Sequence, residues 1–247
     1  PQATGNALKR FVIWGATGIS ILLSIVFGSI AAGHWEIVLK FVNGTSFGTA
    51  DPVFGRDISF YVFLLPLLEA IQVWFLGASI AIMLATLGMF FVNFSFRGVG
   101  FLLTTGVKAQ ASFIVALILL IVGIGHWLNR WGLPISDRGL GREFIFGALY
   151  TDLHARSLAL LIITVIALSA SLLVLANVYL KNIRILVGGV ALWGITAILL
   201  GSVWPSAVQR LTVNPNEFTK EEPYIERNIE FTRRAFGLEG IAEQSYP

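Results

Sequence analysis

Hydrophobic residues in this chain run in long blocks instead of alternating. Five stretches, roughly 11–33, 67–93, 109–128, 157–179 and 185–204, are almost wholly apolar. Each approaches the ~20 residues an α-helix needs to cross a ~30 Å hydrocarbon core. The pattern predicts an all-α polytopic membrane bundle of five transmembrane helices. The second apolar run, Phe60 to Phe94, is too long for one straight crossing at about 1.5 Å per residue. Pro66 offers a break, so 59–65 reads as a short interfacial helix or re-entrant elbow, with the crossing starting at 67. Residues 35–42 read as a second interfacial helix, because Trp35, Ile37, Val38 and Phe41 share a face.

The links carry the polar residues. Between the two interfacial segments lies a turn-rich loop, NGTSFGTADPVFGRD, in which Asp51-Pro52 favours a turn. A longer link of mixed sign covers roughly 129–156. Pro205 is expected to close the fifth span, and the chain becomes soluble in character from about Leu211. The 213–247 segment reads as the membrane-proximal start of an exported soluble domain. It has a helix start at Glu221, Glu222 and Pro223, acids early and Arg233 and Arg234 late, as a helix dipole prefers. In span five, Gly194, Ala197 and Gly201 fall on one face, which predicts close approach of another helix there.

Composition agrees with this picture. Hydrophobic residues make up 56% of the chain and charged residues 13%, against about 25% charged in an ordinary soluble domain. Mean hydropathy is +0.80 and the sequence pI is near 9.4. The basic residues form no run, so no nucleic-acid partner is expected. Without cysteine, disulfides, thiol nucleophiles and Cys-based metal sites are excluded. The first apolar stretch is too long for a cleavable signal peptide. The chain begins at Pro1 and stops soon after a charged segment, so both ends read as cuts in a longer protein.

Loop charge gives the spans a direction. One set of links holds Lys9, Arg10, Arg97, Lys108, Lys181 and Arg184 with no acid, whereas the other holds every Asp in the chain. The positive-inside rule then places the N-terminus in the cytoplasm and the C-terminus outside. Trp35, Trp74, Trp127, Trp131 and Trp204 fall at the outer ends of spans, as amphipathic rings prefer, although Trp14 and Trp193 do not.

Chemistry is sparse. Glu69 is the acid within or near a span, with Gln72 one turn on. An ionisable group at membrane depth suggests a proton or cation path. If the crossing starts after Pro66, though, Glu69 sits in the first turn, where a carboxylate suits the helix N-terminus. His34 and His126 cap the outer ends of spans one and three and could meet in space. They are candidates for a metal, haem or pigment ligand, or else interfacial histidines wetted by headgroups. No pair among these and His154 has the i, i+4 spacing of a helical zinc site, and HExxH, SxxK and Walker motifs are absent. The outer links gather Asp51, Arg56, Asp57, Arg130, Asp137, Arg138, Arg142, Asp152 and Arg156. Their balance of signs predicts ion pairs fixing loops against one another, or in a sharper form a site for an anion or lipid headgroup.

The loops also carry a resemblance. FGTADPVFGRDISFYVFLLP (47–66) resembles the DPxFGxDIxFYxFxLP segment of a bacterial membrane-protein family known as uncharacterised protein family 0182. HWLNR (126–130) is similar to its YWLDR, and GALYTDLHAR (147–156) to its GAxYTDxxAR. WPSAVQRLTVNPNEFTKEEPYIERNIEFTRRAFGL (204–238) is similar to its junction of VxPNE, ExPYIxRNI and TRxAxGL. The resemblance covers most of the chain. It implies about seven spans followed by a large exported domain in the bacterial plasma membrane, with this chain holding spans three to seven and the domain's neck. His126 and Asn129 depart from the family's Tyr and Asp, which weakens any reading of that motif as a fixed acid–base device. The family has no established activity. The expected function is a non-enzymatic anchor, scaffold or accessory subunit of a larger membrane complex, with membrane lipids and other membrane subunits as partners. The alternative is a transporter or channel component for a small solute or lipid.

Overall fold

The computed structural model describes residues 2–97, 104–136 and 147–241. Among these the chain is helical, with one isolated bridge, Ala50 to Asp57, in place of any sheet. Helix α1 spans Gln2–Gly33, α2 Trp35–Val42, α3 Leu65–Arg97, α4 Thr105–Trp131, α5 Ser157–Leu180, α6 Ile183–Ile198, α7 Trp204–Val208 and α8 Glu217–Ala235. Five helical stretches are long and apolar enough to cross a membrane. The end of the bundle bearing residues 43–59, 132–136 and 147–156 is termed the crown, and α8 lies against it.

Two expected breaks are changes of helical type. A π-helical turn, Phe60–Leu64, runs directly into α3, with the Leu65 N–H donating to the Phe60 carbonyl. The 59–65 segment is therefore the opening of α3 and not a separate element. Likewise the helical path does not end at Pro205. The path continues through a π-turn at Leu199–Val203, α7, a second π-turn at Gln209–Val213 and a 3₁₀ turn at Asn214–Asn216 into α8. In all three places the N–H closing the π-turn belongs to Leu65, Trp204 or Asn214, and the next residue is proline. Proline lacks an N–H and its ring presses on the carbonyl four residues back. One extra residue in the turn removes that clash and lets the helix go on.

The bundle centres on α4 and α5. Ala116 and Leu119 pack on Ala170 and Val174, with Leu186 and Trp193 of α6 against them. Small and polar residues permit the approach. The Ser171 hydroxyl donates to the Ala116 carbonyl at 2.7 Å, and Asn177 Nδ2 donates to Ser112 Oγ at 2.9 Å. Asn177 also closes the tight link to α6. Its Oδ1 accepts the Asn182 N–H at 2.8 Å, while Lys181 adopts the left-handed conformation at φ 55°.

The closest backbone approach on span five is at Gly189, where an added Cβ would lie 2.5 Å from a Val174 methyl. The predicted face is looser. Gly194 has open space around it, and Gly201 meets only Ile163 at 3.4 Å. Small residues mark a contact only where a partner helix arrives, and α5 meets α6 nearer its N-terminal end. Helix α1 is peripheral. It is held to α3 by the Trp74 Nε1–H, which donates to the Phe27 carbonyl at 3.1 Å, and by an edge contact between the two rings.

Candidate functional site

Polar chemistry concentrates in the crown. The 43–59 loop is wound around two aspartates. Asp51 accepts the N–H groups of Val53 and Phe54 at 3.0 and 2.6 Å and the Tyr61 hydroxyl at 2.9 Å. Asp57 accepts the Ser46 hydroxyl at 2.6 Å and the N–H groups of Gly48 and Ser59 at 2.9 and 2.8 Å. The bonds from Ser46 and Ser59 hold the Asp57 carboxyl well below the usual carboxylate range.

The expected ion pairs are therefore largely replaced. Both acids are spent on nearby backbone N–H groups, which cost less ordering entropy to capture than a distant, flexible arginine. Among the described residues one pair of the set forms, Arg156 to Asp152 at 2.6 Å, with Asp152 buried. Arg56 and Arg130 turn to aromatic faces instead. The Arg56 guanidinium lies 4.9 Å from the Trp131 ring centroid and 5.6 Å from that of Phe60. Arg130 lies 4.8 Å from Phe54 and 5.5 Å from Trp131, and its Nε donates to Ser157 Oγ at 3.1 Å. Asp137, Arg138 and Arg142 fall outside the described residues.

A second cluster joins the 147–156 segment to α8. Glu221 is 2% exposed, and its Oε2 accepts the Tyr150 N–H at 2.9 Å while Oε1 has no partner among the described residues. Burial pushes this carboxyl up from the ordinary range. His154 stacks on Tyr150 with centroids 4.2 Å apart, and the Tyr224 hydroxyl meets its Nδ1 at 3.3 Å. Lys220 sits over the Tyr150 ring, and Thr151 donates to Gln209. Gly147 has φ +112°, and a Cβ there would stand 2.8 Å from the Asn228 amide, so this close approach requires glycine. Beside it, a cavity of about 460 Å³ opens between crown and α8, lined by Asp51, Tyr61, Pro134 and Phe231 among others.

The remaining candidates are separate from these clusters. His34 bonds through Nδ1 to the Ile30 carbonyl of its own helix at 2.7 Å, whereas His126 Nε2 accepts the Trp193 Nε1–H at 3.3 Å. The two rings are engaged apart from each other, on α1 and on the α4–α6 contact. Gln72 donates to the Ile121 carbonyl at 3.2 Å and ties α3 to α4. The Glu69 carboxylate lies near Gly132 at the end of α4, with no hydrogen-bond donor among the described residues. Among the described residues no three His, Cys, Asp or Glu side chains gather as metal ligands would. Sequence reasoning missed Tyr150, His154, Glu221 and Tyr224. Their signal was present in two motifs, YTD-HAR and EEPYIER, but nothing local says that those motifs meet.

Comparison with known proteins places this arrangement in a family. The chain is 38% identical over 243 residues to a UPF0182 protein of Thermobifida fusca, covering 96% of this chain and 23% of that one. It is 36% identical over 253 residues to a UPF0182 protein of Moorella thermoacetica, covering 97% and 27%. A Mycobacterium tuberculosis UPF0182 protein is 35% identical over 238 residues, covering 93% and 24%. The chain thus spans about a quarter of the length of these curated relatives. No solved structure matches it. The family model described as Uncharacterised protein family (UPF0182) matches residues 2–247, and the chain belongs to that family.

Proposed function

We propose that this chain is a rigid membrane anchor, the base on which the rest of a longer UPF0182 protein is held at fixed height and orientation. One observation carries the reading. The helical path from Ile183 to Ala235 has no loop in it, and its far part, α8, is fastened to the crown through Glu221, Tyr224 and Lys220. A tether that only had to keep a domain near the membrane would need neither feature, because a flexible linker suffices. A continuous helix with side-chain clamps transmits orientation.

In this reading the five apolar helices cross a bacterial plasma membrane with Gln2 on the cytoplasmic side and the crown and α8 outside. Lipids fill the surfaces that α1 leaves open, and other membrane subunits dock on the bundle. No catalytic role is assigned to any residue. The transporter alternative would draw on Glu69 and Gln72, but the Gln72 amide is spent on the Ile121 carbonyl, which favours the anchor.

The experiment uses the full-length protein in lipid nanodiscs, with one spin label on α8 at Glu226 and one on the crown at Thr45. A narrow distance distribution that broadens in the Glu221→Ala/Tyr224→Ala variant is expected. A broad distribution in the unsubstituted protein would overturn the anchor reading. Labelling of single cysteines at Thr45 and Lys181 by a membrane-impermeant reagent in intact cells checks the orientation, with Thr45 alone expected to react.

A further inference from the structure

We infer that Arg56 and Arg130 form a clamp for a phosphate oxyanion at the crown end of α4. Both guanidinium carbons lie within 5.5 Å of the centroid of one indole, that of Trp131. Two cations on the same ring repel each other, and an anion between or beside them removes that repulsion. No described carboxylate is in salt-bridge contact with either guanidinium. Asp51 and Asp57 are committed to backbone N–H groups and to hydroxyls of Tyr61 and Ser46. Asp152 holds Arg156 instead.

The two side chains are also pre-positioned. Arg130 is fixed by its Nε bond to Ser157 and by the Phe54 face, which leaves both of its Nη groups for a ligand. Arg56 lies against the rings of both Phe60 and Trp131. Stacked guanidiniums keep their in-plane donors free, and those donors match the paired oxygens of a phosphate. The Trp131 Nε1–H is a further, independent sign. It is buried with no hydrogen-bond partner among the described residues, on the same ring that carries both cations.

The location fits the chemistry. Trp127, Trp131, Phe54 and Phe60 cluster where α4 ends, the kind of aromatic band that marks headgroup level in a membrane protein. The ligand is a phosphate group, supplied either by the headgroup of an anionic phospholipid or by free phosphate. Arg156, the neighbouring crown arginine that has a carboxylate partner, is excluded from this role.

The test is carried out on the full-length protein. Native mass spectrometry after reconstitution in nanodiscs of phosphatidylglycerol and phosphatidylcholine reports retained lipid. Thermal unfolding in maltoside detergent, with phosphate against chloride at equal ionic strength, reports free phosphate. Retention of phosphatidylglycerol that falls about tenfold in both Arg56→Gln and Arg130→Gln supports the clamp with a lipid source. Stabilisation by millimolar phosphate that both variants lose supports it with a free-phosphate source. Arg56→Lys keeps the charge and is expected to retain part of the effect, whereas Lys40→Gln is expected to change nothing. If the unsubstituted protein shows neither preference, or if the variants fold and behave like it, the clamp is overturned. The first of these readouts needs no variant, so a variant that fails to fold does not shield the proposal.

Discussion

Helices α1 and α4 look alike as strings of residues, both long and apolar enough to cross a bilayer. In the fold they differ sharply. In the most apolar window of α4, 39% of residues are buried in the protein, and in that of α1 none are. Hydrophobicity cannot separate them, because lipid tails are as apolar as leucine and offer an equal home for either surface. What separates them is the small and polar side chains that meet a partner. Helix α4 presents Ser112 and Gly123 to α5. Helix α1 has Ser24 and Gly28 as well, but Ser24 bonds to the Ser20 carbonyl of its own helix and Gly28 faces open space.

The contrast is sharpest at glycine. Gly189→Val is expected to destabilise the bundle by about 3 kcal/mol, because its Cβ would overlap a packed Val174 methyl. Gly28→Val on α1 is expected to stay within about 0.5 kcal/mol. Equilibrium unfolding in mixed micelles measures both, and similar losses would break the comparison. Asn177→Ala comes next at about 1–2 kcal/mol, since it removes the donor to Ser112 Oγ and leaves the Asn182 N–H without its acceptor. The matched Ser24→Ala should be silent in the same assay.

A gain of about 1 kcal/mol is expected for Lys181→Gly, because lysine there pays for a left-handed backbone that glycine adopts freely. A loss instead would mean that the Lys181 side chain contributes more than its backbone costs. Glu221→Gln should have the smallest effect, since glutamine can still accept the Tyr150 N–H. Its signature lies in pH. Burial raises the Glu221 carboxyl above its ordinary 4.5, so docking of α8 is strongest below that value and weakens as pH rises through the raised one. Hydrogen exchange in α8 should show this slope in the unsubstituted protein and lose it in Glu221→Gln, while exposed Glu226→Gln leaves it intact.

Much of the architecture was legible. Each of the five apolar runs falls in a helix long and apolar enough to cross a membrane, because a run of about twenty apolar residues has few other fates. The helix continues through both prolines for a definite reason. Pro66 and Pro205 look like terminators, yet a π-turn before each absorbs the clash, and whether a turn can widen depends on what packs around it. The crown was legible in membership but not in pairing. Residues 51, 56, 57 and 130 stood out as charged, but their partners are backbone N–H groups and aromatic rings. Charge balance along a chain says nothing about which local donor a carboxylate reaches first.

By itself the sequence determined the all-α class, the number of apolar helices and the family, since these depend on composition within single segments and on ungapped motifs. The tertiary structure alone decided which helices bury each other, that the fifth path runs unbroken into α8, and that Tyr150 and Glu221 meet across seventy-odd residues of chain. Those outcomes rest on contacts between distant segments, where shape and unsatisfied donors choose among many partners of equal hydrophobicity.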